Sequence, residues 1–568
     1  MPLPTGVVDR RSTNLSRRQV EGLVADGHAI IIVDGKVLKV DAWLNYHPGG
    51  DKAIMHMVGR DATDEVNALH SLEARRRMNA YQIGQFEGLW ENFLPPIQGG
   101  QFRAYDEGGE KARGRGERSD LSSSWNSSRS STPSLDGHAP LMRCRGPRSV
   151  AESPSSSSVS SLSSSDFAEH KAEETMPSYI DAWTKREIDL DLSTYPPLDP
   201  VTQDEIVRKY RLLHDRIKAE GLYKCHYTSY LTDLCRYVLL FSLCLLFLRW
   251  GWYGASGMFL GLFWHQLVFT AHDAGHMGIT HDFTTDTVIG IIIADFLGGL
   301  SLGWWKRSHN VHHIVTNSPE HDPDIEHLPF FAISHRLLSS LRSTYYDRIM
   351  PYDSFAQFFV RYQSYLYYLV LAFGRFNLYR LSWEYLILGL GPRKGPAWWH
   401  RWFEILGNVV FWYWFGYRLV YKEIPTTWSR FVFVMVSHIV TMPLHVQITL
   451  SHFAMSTADL GVRESFPQKM LRTTMDVDCP EWLDFIHGGL QFQAIHHLYP
   501  RIPRHNLRRT QTLVIEFCKD VGLPYALYGF VEGNKEVIGR LADVARQAAI
   551  LAQCQRVVSE RTDLGHHT

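Results

Sequence analysis

Residues 46–71 read YHPGGDKAIMHMVGRDATDEVNALHS. Two histidines in this stretch, His47 and His70, stand 23 positions apart. Pro48-Gly49-Gly50 makes a tight turn straight after His47, where the backbone can approach a flat ligand closely. Gly59-Arg60-Asp61-Ala62-Thr63 stops one helix and caps the next, which carries His70. Two imidazoles offered from two helix–loop units are what a low-spin haem requires, one axial nitrogen on each face. A turn histidine beside an unrelated surface histidine is the alternative. The HPGG and GRDAT sequences around the pair favour haem. Just upstream, AIIIVDGKVLKVDAWL (residues 29–44) holds two strand-like runs broken by Asp34-Gly35, a hairpin signal. Residues 17–96 therefore read as a small α+β domain, preceded by a tail over 1–16.

Outward from that domain the composition changes. Residues 97–178 include SDLSSSWNSSRSSTPSLDG and SPSSSSVSSLSSS, too poor in apolar side chains to offset chain entropy, and read as a disordered linker. The whole chain has 568 residues, with 58 Lys+Arg against 59 Asp+Glu, which excludes nucleic-acid binding driven by bulk charge. Seven Cys without a CxxC pair exclude a disulfide scaffold and a zinc-thiolate site, whereas 28 His point to nitrogen-ligated metal. Residues 1–20 lack an apolar h-region, so the N-terminus is expected to stay cytosolic.

Residues 179–540 read as a membrane domain, followed by a tail over 541–568. Four apolar stretches, 237–250, 252–270, 405–421 and 430–450, are expected to cross the bilayer as two hairpins. Arg249 with Trp250 and Trp252 marks the first turn as interfacial. Stretches 287–304 and 364–390 are interrupted by charges and read as interfacial helices.

Three histidine clusters adjoin these spans: His272-Asp-Ala-Gly-His276, His309-Asn-Val-His312-His313, and Gln493-Ala-Ile-His496-His497. At i, i+3 or i+4 on a helix, each aims two imidazoles at one place. Such a donor set, with water and oxygen ligands, suits iron handling O2. One cluster is readily a polar helix face; three beside apolar spans point to one metal centre, and four crossings put all three on one membrane face. His438, His445 and His452 are spaced by seven. His452 lies at the cytosolic end and is a candidate eighth ligand, while His445 and His438 lie about 10 and 21 Å deeper at 1.5 Å per residue. His265, His281, His321, His327, His335, His487 and His505 lack such spacing and read as structural.

The HPGG turn and second histidine resemble the cytochrome b5 family over residues 17–95. The clusters resemble the HxxxH, HxxHH and QxxHH boxes of membrane fatty-acid desaturases over about 225–525, with Gln493 as in front-end desaturases fused to cytochrome b5. VEGLVADGHAI, TAHDAGHMGIT, RSHNVHHIVTNSPEHDPDIEHLP and QFQAIHHLYPRIPRHNLR are most similar to fungal sphingolipid Δ8 desaturases. The resemblance implies a b5-like α+β haem domain joined by a linker to an all-α di-iron membrane domain with four transmembrane helices. It implies a b-type haem on His47 and His70, and two non-haem irons on His272, His276, His309, His312, His313, His496 and His497. With O2 as co-substrate, such an enzyme desaturates the long-chain base of a ceramide at C8. No GxGxxG follows a strand, so NADH is expected to act through a separate cytochrome b5 reductase. The family places such proteins in the endoplasmic reticulum, haem domain and boxes facing the cytosol. The rival readings are an acyl-lipid Δ6 or Δ5 desaturase, a lipid hydroxylase and a non-enzymatic haem electron carrier. A tethered donor is expected to work through high local concentration, without one docked pose.

Overall fold

The computed structural model describes residues 10–105 and 179–565. Most of the expected linker, residues 106–178, lies outside the described residues, as do residues 1–9.

In the N-terminal unit Ser16 caps α1 (Arg17–Ala25), its hydroxyl accepting from Gln19 N while the Gln19 side chain accepts from Ser16 N. Strands β1 (Ile30–Val33) and β2 (Lys36–Lys39) pair antiparallel across Asp34 and Gly35, which take φ of 50° and 71°. Both left-handed conformations are what a two-residue hairpin with right-handed strand twist needs. Helices α2 (Asp41–Leu44), α3 (Asp51–Met55), α4 (Thr63–Leu69) and α5 (Leu72–Met78) lead to β3 (Gln82–Gln85), which pairs with β2.

Both expected edges of this unit move outward. Leu15 N donates to Gln85 O and Gln85 N to Thr13 O, so the tail already joins the sheet. Residues 97–105 fold back: Phe102 packs on Phe93, and Arg103 pairs with Glu21 through two nitrogens at 2.8 and 2.9 Å. The glycine-rich QGGQ segment marked an end in composition, but the aromatic and the arginine just beyond it return the chain to the domain.

The second unit is helical. It comprises α6 (Tyr179–Thr194), α7 (Pro200–Ala219), α8 (Tyr227–Arg249), α9 (Tyr253–Gly275), α10 (Phe283–Ile291), α11 (Leu302–Val315), α12 (Ser354–Ala372), α13 (Gly374–Leu388) and α14 (His400–Phe411). Then come α15 (Thr427–Ile439), α16 (Met442–Phe453), α17 (Phe466–Thr473), α18 (Asp484–His487), α19 (Gln493–Leu498), α20 (Leu507–Val521) and α21 (Phe530–Gly565). π-Helical turns extend α10 over Ile292–Leu297 and α14 over Trp412–Glu423.

Four spans were expected. Among the described residues two helices are long and apolar enough to cross a membrane, Tyr227–Arg249 and Thr427–Phe453. A third span arises only if the pair Phe283–Leu297 and Leu302–Val315, bent by 117°, counts as one. The expected stretch 252–270 falls on α9, 23 residues long but polar in its middle at His265 and Gln266; 405–421 straddles α14 and a π-helical segment bearing Arg418 and Lys422. The four stretches thus lie on helices, but two carry polar groups that dilute their apolar character. Residues 541–565, within the stretch 541–568 expected to be a tail, continue α21, whose Val537 and Leu541 join the core with Tyr367 and Leu371 of α12. Further along the same face, Val544 and Ala548 pack with Val360.

The two units touch. Val311, Ile314 and Val315 of α11 complete the core that holds Met57 and Val58. Arg307 pairs with Asp51 (3.1 Å), Lys52 with Asp347 (2.7 Å) and Arg211 with Asp64 (2.8 Å). Asn92 Nδ2 donates to Val462 O. The units are docked in this arrangement through charge pairs that were invisible in a sequence separating their partners by well over a hundred residues.

Candidate metal centres

His47 stands between α2 and α3, and His70 caps the C-terminus of α4, one residue beyond the helix expected to carry it. Asp61 fixes the start of α4 by accepting from the Thr63 backbone and hydroxyl. Gly50, at φ 86°, turns the chain so that its carbonyl accepts from His47 Nδ1 at 2.7 Å, leaving Nε2 free. The two rings sit with centroids 5.9 Å apart and planes 29° from parallel. Two imidazole–metal bonds of about 2 Å on opposite sides of one ion give close to that separation. His70 Nδ1 is buried without a partner. Burial holds the His70 imidazole down to about 3 and His47 below its ordinary value, so both are neutral and able to donate a lone pair. The pair fits a bis-imidazole haem.

The histidines of the three clusters converge from α9, α11 and α19, with His452 added by α16. Nitrogens of His272, His276, His309 and His496 lie within 4.8 Å of one another, as do those of His312, His452 and His497. In the first group, centroids are 4.5 Å apart for His272 and His496, and 4.7 Å for His276 and His496. In the second, His312 and His452 are 4.5 Å apart, His312 and His497 4.8 Å. His313 sits between the groups, 4.3 Å from His497 and 4.9 Å from His276, with Nε2 3.1 Å from His309 Nε2. All seven expected residues and His452 thus meet in one region, seven of the eight histidines in two sets with His313 between them; Asp324 forms a further group with His309 and His312, and Gln493 is buried as the first residue of α19.

The nitrogens are left available in a particular way. His276 Nε2, His313 Nδ1, His452 Nδ1, His496 Nε2 and His497 Nε2 are buried with no hydrogen-bond partner. Without a metal, each orphaned nitrogen would cost on the order of 1–3 kcal/mol. The opposite ring nitrogens of two of the histidines are held. His312 Nδ1 faces both oxygens of Asp322 at 2.8 and 3.0 Å, which leaves Nε2 as the nitrogen available to a metal. Thr316 Oγ1 donates to His312 O at 2.7 Å and so presents its own lone pair to His497 Nδ1 at 3.3 Å. Asp322 is fixed by the backbone N–H of Asn317 and Asp324, and Asp324 itself lies 3.4 Å from His309 Nδ1. Trp305 stacks on His309 at 4.5 Å. This donor set fits two adjacent irons.

Sequence reasoning missed Asp322, Asp324 and Thr316. The signal was present as PEHDPDIEH, acidic residues 10 and 15 positions after the histidines they face, but only a folded loop turns them back. Three of the histidines set aside earlier make packing or backbone contacts. His438 stacks on Phe376 with planes 8° apart and donates from Nδ1 to Val434 O, and His445 lies flat against Gly374. His281 spans the carbonyls of Met277 and Tyr223 at 2.7 Å each.

Residues 249–529 match the fatty acid desaturase family, and residues 16–87 the cytochrome b5-like haem/steroid-binding domain. A Delta 8-(E)-sphingolipid desaturase of Emericella nidulans is 63% identical over 555 residues, 97% of this chain and 98% of that protein. The protein of the same description from Candida albicans is 48% identical over 572 residues, 96% and 97% of the two chains. A Delta(8)-fatty-acid desaturase of Helianthus annuus is 37% identical over 352 residues, 61% of this chain and 74% of that one. With both domains matched and relatives similar from end to end, the chain belongs to the family of cytochrome b5-fused Delta 8-(E)-sphingolipid desaturases.

Proposed function

We propose that the protein introduces the C8 double bond into the sphingoid long-chain base of ceramides in the endoplasmic reticulum, with E geometry as in the names of its relatives. The observation that carries this reading is the 63% identity along the whole length of a relative so named. The reaction removes one hydrogen from each of two adjacent methylenes, and with two electrons from outside reduces O2 to two waters. Iron, when bound, supplies the oxidant.

The chain's own residues do the rest. His272, His276, His309, His312, His313, His496, His497 and His452 hold the irons, and Asp322 and Thr316 keep His312 and His497 in the tautomers that bind. His47 and His70 hold the haem. Electrons reach it from NADH through a separate cytochrome b5 reductase, which puts the haem domain and the histidines on the cytosolic face. Contact between the haem domain and α11 supports one shared face.

The deciding experiment is expression in a yeast that makes ceramides but lacks Δ8 unsaturation. Long-chain bases and fatty acids are separated, weighed by mass spectrometry and cut by ozonolysis. Bases two mass units lighter and cleaved at C8 are expected. Unsaturation confined to fatty acids would move the protein to the acyl-lipid branch. A gain of sixteen mass units would make it a hydroxylase.

A further inference from the structure

α11 has two faces. His309, His312 and His313 point into the nitrogen sets, with Trp305 stacked on His309. On the other side, Arg307, Asn310, Val311 and Ile314 meet the haem domain. The contact centres on the turn that follows the haem-ligand histidine. A methyl carbon built on Gly49 would lie 2.6 Å from Asn310 Nδ2 and 2.9 Å from His47 Cε1, and one on Gly50 would lie 3.1 Å from Arg307 Cγ. The two glycines therefore let the helix come up against this turn, and the Asn310 amide and the His47 imidazole both lie close against Gly49. Asn310 is bonded through the chain to His309. Arg307 fixes the approach from both sides, pairing with Asp51 and donating to Leu390 O at 2.6 Å.

From this we infer that α11 is the electron junction of the molecule, and that Asn310 is the positioning residue that couples the His47 side of the haem to His309. The inference rests on the reading of both metal sites given above. With haem and iron bound, each transfer would oxidise ferrous haem to ferric and reduce one ferric non-haem iron to ferrous. Two transfers serve each double bond, and a reduced flavoprotein returns the haem to ferrous after each.

The test uses the full-length holoprotein in lipid nanodiscs. Its haem is reduced under nitrogen, then mixed rapidly with O2 and a ceramide, and reoxidation is followed by absorbance. Asn310→Ala and Arg307→Glu are expected to lose the fast phase while haem spectrum, haem content and iron content stay at wild-type levels. Asn310→Gln should recover part of it, and Asp51→Arg combined with Arg307→Glu should also recover part, since the exchanged charges re-form the pair but not the bond to Leu390 O. A fast phase unchanged in both Asn310→Ala and Arg307→Glu overturns the inference. A second measurement does not depend on turnover. Carbodiimide couples amines only to carboxylates in contact, so it should join Lys52 to Asp347, 2.7 Å apart, and Lys52→Arg should abolish that cross-linked peptide. The locked chain should keep its fast phase. Failure to couple, or a locked chain without the fast phase, would show that this pose is not the transferring one. Absence of haem or non-haem iron from the wild-type protein would instead strike at the reading of the sites.

Discussion

His452 occupies the last turn of α16 with its ring centroid 4.5 Å from His312 and 5.0 Å from His497, and its Nδ1 is buried without a partner. Replacing it by alanine is expected to lower bound non-haem iron and abolish product while leaving the haem spectrum intact, measured by iron analysis and lipid profile of one preparation. His438→Ala, on the same heptad stripe, should keep iron, because that ring is packed against Phe376. Asp322 acts through His312. Asp322→Asn keeps an acceptor but loses the charge, and is expected to reduce iron retention or turnover by about 10- to 100-fold, the usual cost of losing a partner behind a metal-binding imidazole. The histidines were legible because a helix makes i, i+3 and i+4 neighbours whatever the tertiary context. Asp322 was not, because its role depends on how the loop after α11 turns.

At the scale of elements, α19 is six residues long and too short to hold its own geometry. Asp476, fully buried, accepts from Ala494 N at 2.7 Å and so anchors its first turn; it also accepts from Gln511 and Tyr525. Burial pushes the Asp476 carboxyl from 3.8 up to about 6, so the folded state binds the proton more tightly than the unfolded chain. This group's stabilising share is whole below about pH 4 and is lost as pH rises through about 6. Melting temperatures of wild type and Asp476→Asn at pH 5 and 7.5 test the sign: wild type should lose more stability between them. A second anchor is Arg504, buried between Asp233 of α8 and Asp273 of α9. Arg504→Met leaves Asp273 buried without its arginine, while Asp233 keeps Arg236, a loss of about 3–5 kcal/mol. Thermal unfolding should show it together with loss of iron, since Asp273 adjoins His272. Hydrophobic runs announced where these helices are, but not which of them cross a bilayer. His265 and Gln266 interrupt α9, and Gln266 donates to Phe485 O, a polar contact inside the protein that hydropathy reads only as a deficit.

At the scale of the whole molecule, two units legible from their motifs meet through residues that no motif includes. Asp51, Lys52 and Asp64 flank the haem-ligand turn and the start of α4, and their partners lie on α11, α7 and the loop at Asp347. If the docked pose is the working one, the segment between the units only has to connect Tyr105 to Tyr179. Removing residues 110–165 leaves 106–109 and 166–178 to do so, a reach of roughly 55–60 Å at full extension. The shortened chain is expected to keep its haem, its iron and its C8-unsaturated product in a host lacking free cytochrome b5. Separating the units altogether is the harsher change. Expressed as two chains, residues 10–105 and 179–568, they lose the local concentration of roughly millimolar order that a tether maintains. Product should then rise with the amount of haem fragment supplied, and Arg307→Glu on the membrane fragment should shift that dependence to higher concentration. Shortened and split chains behaving alike at every haem-fragment level would mean that neither the tether nor the docked face governs delivery of electrons.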